Sequence, residues 1–262
     1  MRVDSDYVHV SSMIGWCPRQ VALLMKRSQS VPMSVRSEMR LLWAIGRAVE
    51  KHIRDGIIEH IGRDKAFGNW TCQCGATSFV GFGKFLPSYC RKCSGSVTCY
   101  TEYQVKSDDY RVRGSIDLLV APHGELVPVE IKSITNSPSA NSKKVGFDSL
   151  KQALGDHQHQ AGIYGYLLRH EKVAEEYGVK PSDSFVVLYG SKDYRFGKPY
   201  KEFHVPIAAR EKPAVTDLKL AKQAWRASKN LSPLPMRVCS TIECTRAKEC
   251  PVALECFQGK IK

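Results

Sequence analysis

The chain has 262 residues, enough for one large domain with an insertion or two small domains, and a core of that size needs no disulfides. Its 39 Lys and Arg against 26 Asp and Glu give a net charge of +13, spread along the sequence, which favours a polyanionic partner such as a nucleic acid. No apolar run reaches the roughly 18 residues of a membrane span, and the opening MRVDSDYVHV lacks the pattern of a secretory signal, so a soluble, cytoplasmic protein with no membrane role is expected.

Residues 10–28 and 34–62 carry apolar residues at three-and-four spacing, the second through Leu41, Leu42, Ile45, Val49, Ile53 and Ile57, and predict two amphipathic helices. From 68 to 98 that pattern breaks into Gly, Ser, Pro and cysteines, with too few aliphatics to fold alone. At Tyr100 the period becomes two: YTEYQV, YRVRGSIDLLVA and ELVPVEIKSI predict three strands in an antiparallel meander, the last two joined by a turn around Pro122, His123 and Gly124. Residues 134–147 are polar and predict a mobile loop. Helical spacing returns through Ala161, Tyr164, Leu167 and Leu168. SFVVLYG and KEFHVPI predict two further strands, 209–229 a helix, and the tail from Leu231 is rich in proline and cysteine.

Alternate strand residues face opposite ways, so in LVPVEIK the pair Glu130 and Lys132 shares one face while Val127, Val129 and Ile131 share the other. Pairing with GSIDLLV would bring Asp117 to the charged face. An apolar strand has little reason to carry these charges unless they work. Two carboxylates can hold a hard divalent cation, Mg2+ or Mn2+, which activates water and neutralises the charge of phosphodiester cleavage, while the lysine orients the water or stabilises the phosphorane.

The set Asp117, Glu130, Lys132, followed by QAGIY with Gln160 and Tyr164 four apart on one helix face, resembles the PD-(D/E)XK nucleases, specifically their RecB-like exonuclease branch with its CRISPR-associated and AddB-type iron-sulfur members. The resemblance implies a restriction-endonuclease-like α/β fold, a central mixed sheet flanked by helices. It assigns catalysis to Asp117, Glu130, Lys132, Gln160 and Tyr164, with a further metal ligand on an early helix after a glycine. In IGRAVEKH that ligand is Glu50, four residues after Gly46, or His52; about 200° of helix rotation separates them, so only one can face the metal.

Ten cysteines in a reducing compartment point to metals rather than disulfides. Cys72 and Cys74 (C-x-C) with Cys90 and Cys93 (C-x-x-C) can complete a tetrahedron around Zn2+ and staple the 68–98 segment as a zinc-ribbon-like insertion. Cys99 is left over and expected to pack in the core. In the RecB-like branch, a cysteine in a CPR-like segment joins three C-terminal cysteines around a [4Fe-4S] cluster. Here the resemblance implies Cys17, Cys250 and Cys256 with Cys244, or Cys239 in its place. A second zinc held by the C-terminal thiols is the alternative.

The implied organisation is 1–67 as the N-terminal helical part, 68–98 as the zinc insertion, 99–230 as the nuclease core and 231–262 as the cysteine-rich cluster tail. The implied activity is single-strand-preferring exonuclease cleavage of DNA with free ends, with Arg19, Lys143 and Lys144 tracking phosphates. A structure-specific endonuclease and a non-catalytic DNA-binding metalloprotein are the alternatives. No G-x-x-x-x-G-K-[ST] phosphate loop is present, so a helicase or recombination protein would act in trans. The compact form with its odd insertion suits a phage or mobile-element enzyme.

Overall fold

The segment ELVPVEIKSI forms the longest strand of the described residues and the middle of the main sheet. The structure, a computed structural model, describes residues 6–27, 37–75, 78–83, 86–136, 145–193 and 199–258. In chain order the elements are β1 Val8–His9, α1 Pro18–Lys26, α2 Ser37–Ile61, β2 Ala66–Cys72, β3 Ser78–Gly81, β4 Val97–Thr101, β5 Tyr103–Ser107, β6 Val112–Ile116, β7 Leu118–Val120 and β8 Glu125–Ile134. They continue with α3 Gly155–His170, α4 Val173–Glu176, β9 Lys180–Pro181, β10 Ser184–Ser191, β11 Tyr200–Pro206, α5 Ala208–Ser228, α6 Thr245–Lys248 and α7 Ala253–Gln258.

Two compact units result, one of Met1–Ser34, Lys106–Gly114 and Glu211–Lys262, the other of Val35–Val105 and Ser115–Arg210. The second holds the mixed sheet, ordered β11-β10-β8-β7-β2-β3 with β4 also on β2; β10 pairs β8 in parallel, and β11 on β10, β7 on β8 and β2 on β7 are antiparallel. One face buries Val129, Ile131, Val186, Leu188 and Leu118 beneath Ile53 of α2. The other buries Phe185, Val187, Tyr189 and Val205 beneath Ala161 of α3 with Phe147 and Leu150. Each such aliphatic or aromatic side chain contributes roughly 1.5–3 kcal/mol by burial. Gly190 lets α2 close on the sheet: a Cβ there would stand 2.5 Å from Ile53 Cδ1.

Several expectations change. The helix anticipated over 10–28 is a 3-10 turn at Val10–Ser12 and then α1, because Gly15 takes φ +56° and Pro18 can only start a helix. YRVRGSIDLLVA is not one strand: it breaks at Asp117, β6 joining β1 and β5 in a separate sheet while β7 joins the main one. The meander is therefore interrupted, and β2, rather than the 100–105 segment, flanks β7. Leu41, Leu42 and Ile45 are exposed, so only the later part of the apolar stripe of α2 is buried. Cys99 is exposed, not packed in the core, since it pairs with Thr71 on the outward side of β4. Residues 137–144 of the expected mobile loop, including Lys143 and Lys144, lie outside the described residues. Within these residues no helix is long and apolar enough to cross a membrane.

Candidate active site

The site forms where two strands meet end to end along β2. On one edge, β7 covers the start of β2, with Ala66 opposite Val120 and Phe67 opposite Leu119; β4 covers its end, with Asn69 opposite Thr101 and Cys72 opposite Val97. The residues at this junction are Asp117, just before β7, and Glu102, just after β4.

Asp117 is fixed by Ile131, whose backbone N–H donates to Oδ2 at 2.7 Å. The carboxylate takes the place of a ladder carbonyl, which is why the strand breaks at this residue. Extending the β7–β8 register by one step sets Glu130 opposite it. Glu130 is 2% exposed, and neither of its sealed oxygens accepts a well-formed hydrogen bond, although Lys132 Nζ stands 2.5 Å from Oε1. Gly46 brings α2 against β8, a Cβ there meeting Ser133 Oγ at 3.2 Å, and one turn on Ser133 Oγ reaches Glu50 Oε1 at 3.5 Å. His52 instead turns outward, exposed, into a separate apolar cavity lined by Ile57, Val127, Val186 and Leu188.

Charge accumulates here. Burial, then Asp117, pushes Glu130 up to about 8, and burial raises Asp117 and Glu50 as well. Burial opposes the charge of Lys132, but Glu130, Asp117 and Glu50 outweigh it and hold the ammonium above its ordinary range. On α3, Tyr164 is buried and linked by a side-chain hydrogen bond to Gln160; burial and then Glu130 raise its hydroxyl. The five expected residues thus converge with Glu50.

Three participants had not been picked out. Glu102 is raised by burial and by Asp117, and Arg54 Nη1 lies 3.4 Å from its Oε1 while stacking over Tyr100. Arg54 follows Glu50 by four residues, a same-face signal that was available. His157 Nδ1 lies 2.8 Å from Tyr189 Oη, and burial with Lys132 lowers it to about 4, so it is neutral at neutral pH. Its spacing three residues before Gln160 was the available cue.

Among the described residues, the cations facing Glu50, Glu102, Asp117 and Glu130 are Lys132, Arg54 and, beside Glu50, Lys192. An all-oxygen, net-negative set with a fully buried carboxylate fits a hard divalent cation such as Mg2+ or Mn2+. No three of these carboxylates bring ligand atoms within 4.8 Å of one another. Among the described residues the one group of three or more ligand atoms within 4.8 Å of one another is Cys72, Cys74, Cys90 and Cys93, with Cys72 Sγ 3.2 Å from Cys93 Sγ and Cys74 Sγ 3.9 Å from Cys90 Sγ. That spacing fits one metal ion held by thiolates.

In the other unit, Cys17, Cys239, Cys250 and Cys256 line one small cavity with Val238, Val252 and Phe257. Cys244 lies against Cys239, but its sulfur accepts from Ala247 N at 3.4 Å and caps α6. None of these five joins a single-ion group. Arg19 is already engaged, donating to the carbonyls of Pro235 and Cys256 at 3.1 and 3.4 Å, so it ties the tail to α1 rather than standing ready for phosphate.

No curated protein matches the chain. A family model does, over residues 16–256, from just before Cys17 to Cys256. The chain belongs to the PD-(D/E)XK nuclease superfamily, metal-dependent nucleases that cleave phosphodiester bonds.

Proposed function

We propose that the protein is a DNA exonuclease of the RecB-like branch that prefers single strands with free ends and acts in the cytoplasm with a helicase or recombination partner in trans. The observation that carries this reading is Glu130: a sealed carboxylate opposite Asp117 and against Lys132, with Gln160 and Tyr164 arriving from α3. Glu50, Asp117 and Glu130 would hold Mg2+ or Mn2+, which supplies a polarised water and neutralises charge on the phosphate. Lys132, kept protonated by its three acidic neighbours, donates to the attacking water and to the phosphoryl oxygen that gains charge. Gln160 and Tyr164 position the strand by hydrogen bonds. Arg54 holds Glu102 turned toward Asp117, and neutral His157 accepts or donates one hydrogen bond without adding charge.

The same proposal gives Zn2+ to Cys72, Cys74, Cys90 and Cys93, and a [4Fe-4S] cluster to Cys17, Cys250 and Cys256 with a fourth thiolate. The shared cavity favours Cys239 for that position over Cys244. Soft thiolates suit both centres, and spacing wider than a single ion needs suits a cluster.

The test uses end-labelled single strands, with free and with blocked ends, and Mn2+. Asp117→Ala and Lys132→Ala should each lower cleavage by about 10²–10⁴-fold while DNA binding persists. Undiminished cleavage by both purified variants removes the assignment. Equal cutting of blocked and free ends replaces exonuclease by endonuclease.

A further inference from the structure

The cysteine-stapled module is more than a filler in a loop. From Ala66 to Thr101 the sequence contains no Asp or Glu, while it contains Lys84, Arg91 and Lys92, in a chain that carries 26 acidic residues. One tip of it is the Cys90–Cys93 turn, closed by Ser94 N donating to Cys90 O and Cys90 N to Gly95 O. There Tyr89 is 69% exposed, although the module has a core of Trp70, Leu86, Val97 and Cys72 in which an aromatic could be buried. Arg91 and Lys92 are also exposed and lie between the two cysteines of that turn.

The sheet register fixes where this tip stands relative to the acidic centre. Asn69 of β2 faces the junction at which Asp117 and Glu102 meet, and β2 runs on from there to Cys72. Three residues of strand advance about 10 Å, so Cys72 lies beyond the catalytic end of the sheet by that distance. Cys93 Sγ is 3.2 Å from Cys72 Sγ, which carries Tyr89, Arg91 and Lys92 to the same end. Below them the stalk is braced by an edge-on pairing of Trp70 and Tyr100, with ring centroids 5.3 Å apart, and Tyr100 reaches directly to the Arg54–Glu102 pair.

An exposed aromatic followed closely by two exposed cations, in a segment that carries no Asp or Glu of its own, has the chemistry of a stacking platform for an unpaired base with clamps for the adjacent phosphates. The geometry points to the tip of this module as a guide for single-stranded nucleic acid. Tyr89 stacks on a base, and Arg91 and Lys92 hold the backbone of the strand that leads to Asp117 and Glu130. Even with a doubly negative metal–thiolate centre inside it, the segment Ala66–Thr101 keeps a positive formal charge from its three cations. This inference rests on the nuclease reading for its substrate, but it is tested by binding alone.

The experiment measures anisotropy of a fluorescent single-stranded oligonucleotide and its duplex with full-length protein carrying Asp117→Ala, so that no cleavage intervenes. To this parent are added Tyr89→Ala, Tyr89→Phe, or Arg91→Ala with Lys92→Ala, and the metal content of each is determined to show that the module is intact. Tyr89→Ala should weaken single-strand binding about ten-fold, the loss of one stacked base at about 1.4 kcal/mol, while Tyr89→Phe binds as the parent. The double variant should reduce the slope of log K against log salt by about 1.4, two phosphate contacts at about 0.7 each. Binding unchanged in Tyr89→Ala and in the double variant overturns the inference. So does an equal loss with Tyr89→Phe, or an equal loss on duplex. If the wild-type chain cleaves nothing yet this binding pattern appears, the hydrolytic reading fails and the guide stands.

Discussion

At the scale of single residues, Glu130 is an acid buried at a cost to folding. Its carboxylate is sealed from water, accepts no well-formed hydrogen bond and faces a second acid, and its affinity for a proton rises to about 8 as a result. A raised folded-state value means that the neutral form is favoured by folding. The stabilising contribution is then complete below the ordinary carboxylate range and is lost as pH rises toward 8. The metal-free protein should therefore lose thermal stability between about pH 4.5 and pH 8. Glu130→Gln should flatten that dependence, and saturating Mn2+ should restore stability to the wild type but not to the variant. Melting temperatures across this range, with and without metal, check it; an equal slope in the variant would locate the cost elsewhere. Asp117, Glu130 and Lys132 were legible in the sequence because charges at alternate positions of an apolar strand stand out against it. Glu102 and His157 were not, because their proximity to the site comes from partners distant in sequence: Glu102 meets Asp117 only because β4 and β7 share an edge of β2.

Among the elements, α2, β8 and α3 were visible from periodicity, and the short-range rules that define them held. What misled was continuity. Gly15 and Pro18 divide an apparent helix, and Asp117 divides an apparent strand by accepting the hydrogen bond from Ile131 N. The metal module shows the contrast most clearly. Cys90 is buried within 3.9 Å of Cys74, whereas Cys99, nine residues on, is exposed on the outer side of β4. Cys90→Ser should release the metal and lower the melting temperature, since the small apolar core around Trp70 has little else to close its open end. Cys99→Ser should retain the metal with stability unchanged to within about 0.5 kcal/mol. Metal stoichiometry and thermal melts of the two variants decide this, and metal retention by Cys90→Ser would refute the quartet.

For the molecule as a whole, residues 6–27 and 211–258 belong to one unit. Leu23 and Leu24 of α1 pack with Val252, and Arg19 holds the carbonyls of Pro235 and Cys256. A centre joining Cys17 to Cys250 and Cys256 would add a covalent clasp to that packing. Chain purified without oxygen should carry iron. Cys17→Ala and Cys239→Ala should lose it and expose the region after Leu231 to protease, and Cys244→Ala should keep it. Loss with Cys244→Ala and retention with Cys239→Ala would reverse the assignment. Sequence by itself determined the chemistry available: which residues carry charge or thiolate, their spacing, and the order of motifs that marks the superfamily. Tertiary structure alone decided which of those groups share a space: Glu50 inward and His52 outward, Cys239 in the cavity and Cys244 at a helix cap, Glu102 at the fork. Local spacing fixes a side chain's face on its own element, but the meeting of faces depends on strand register and helix packing between residues far apart in the chain.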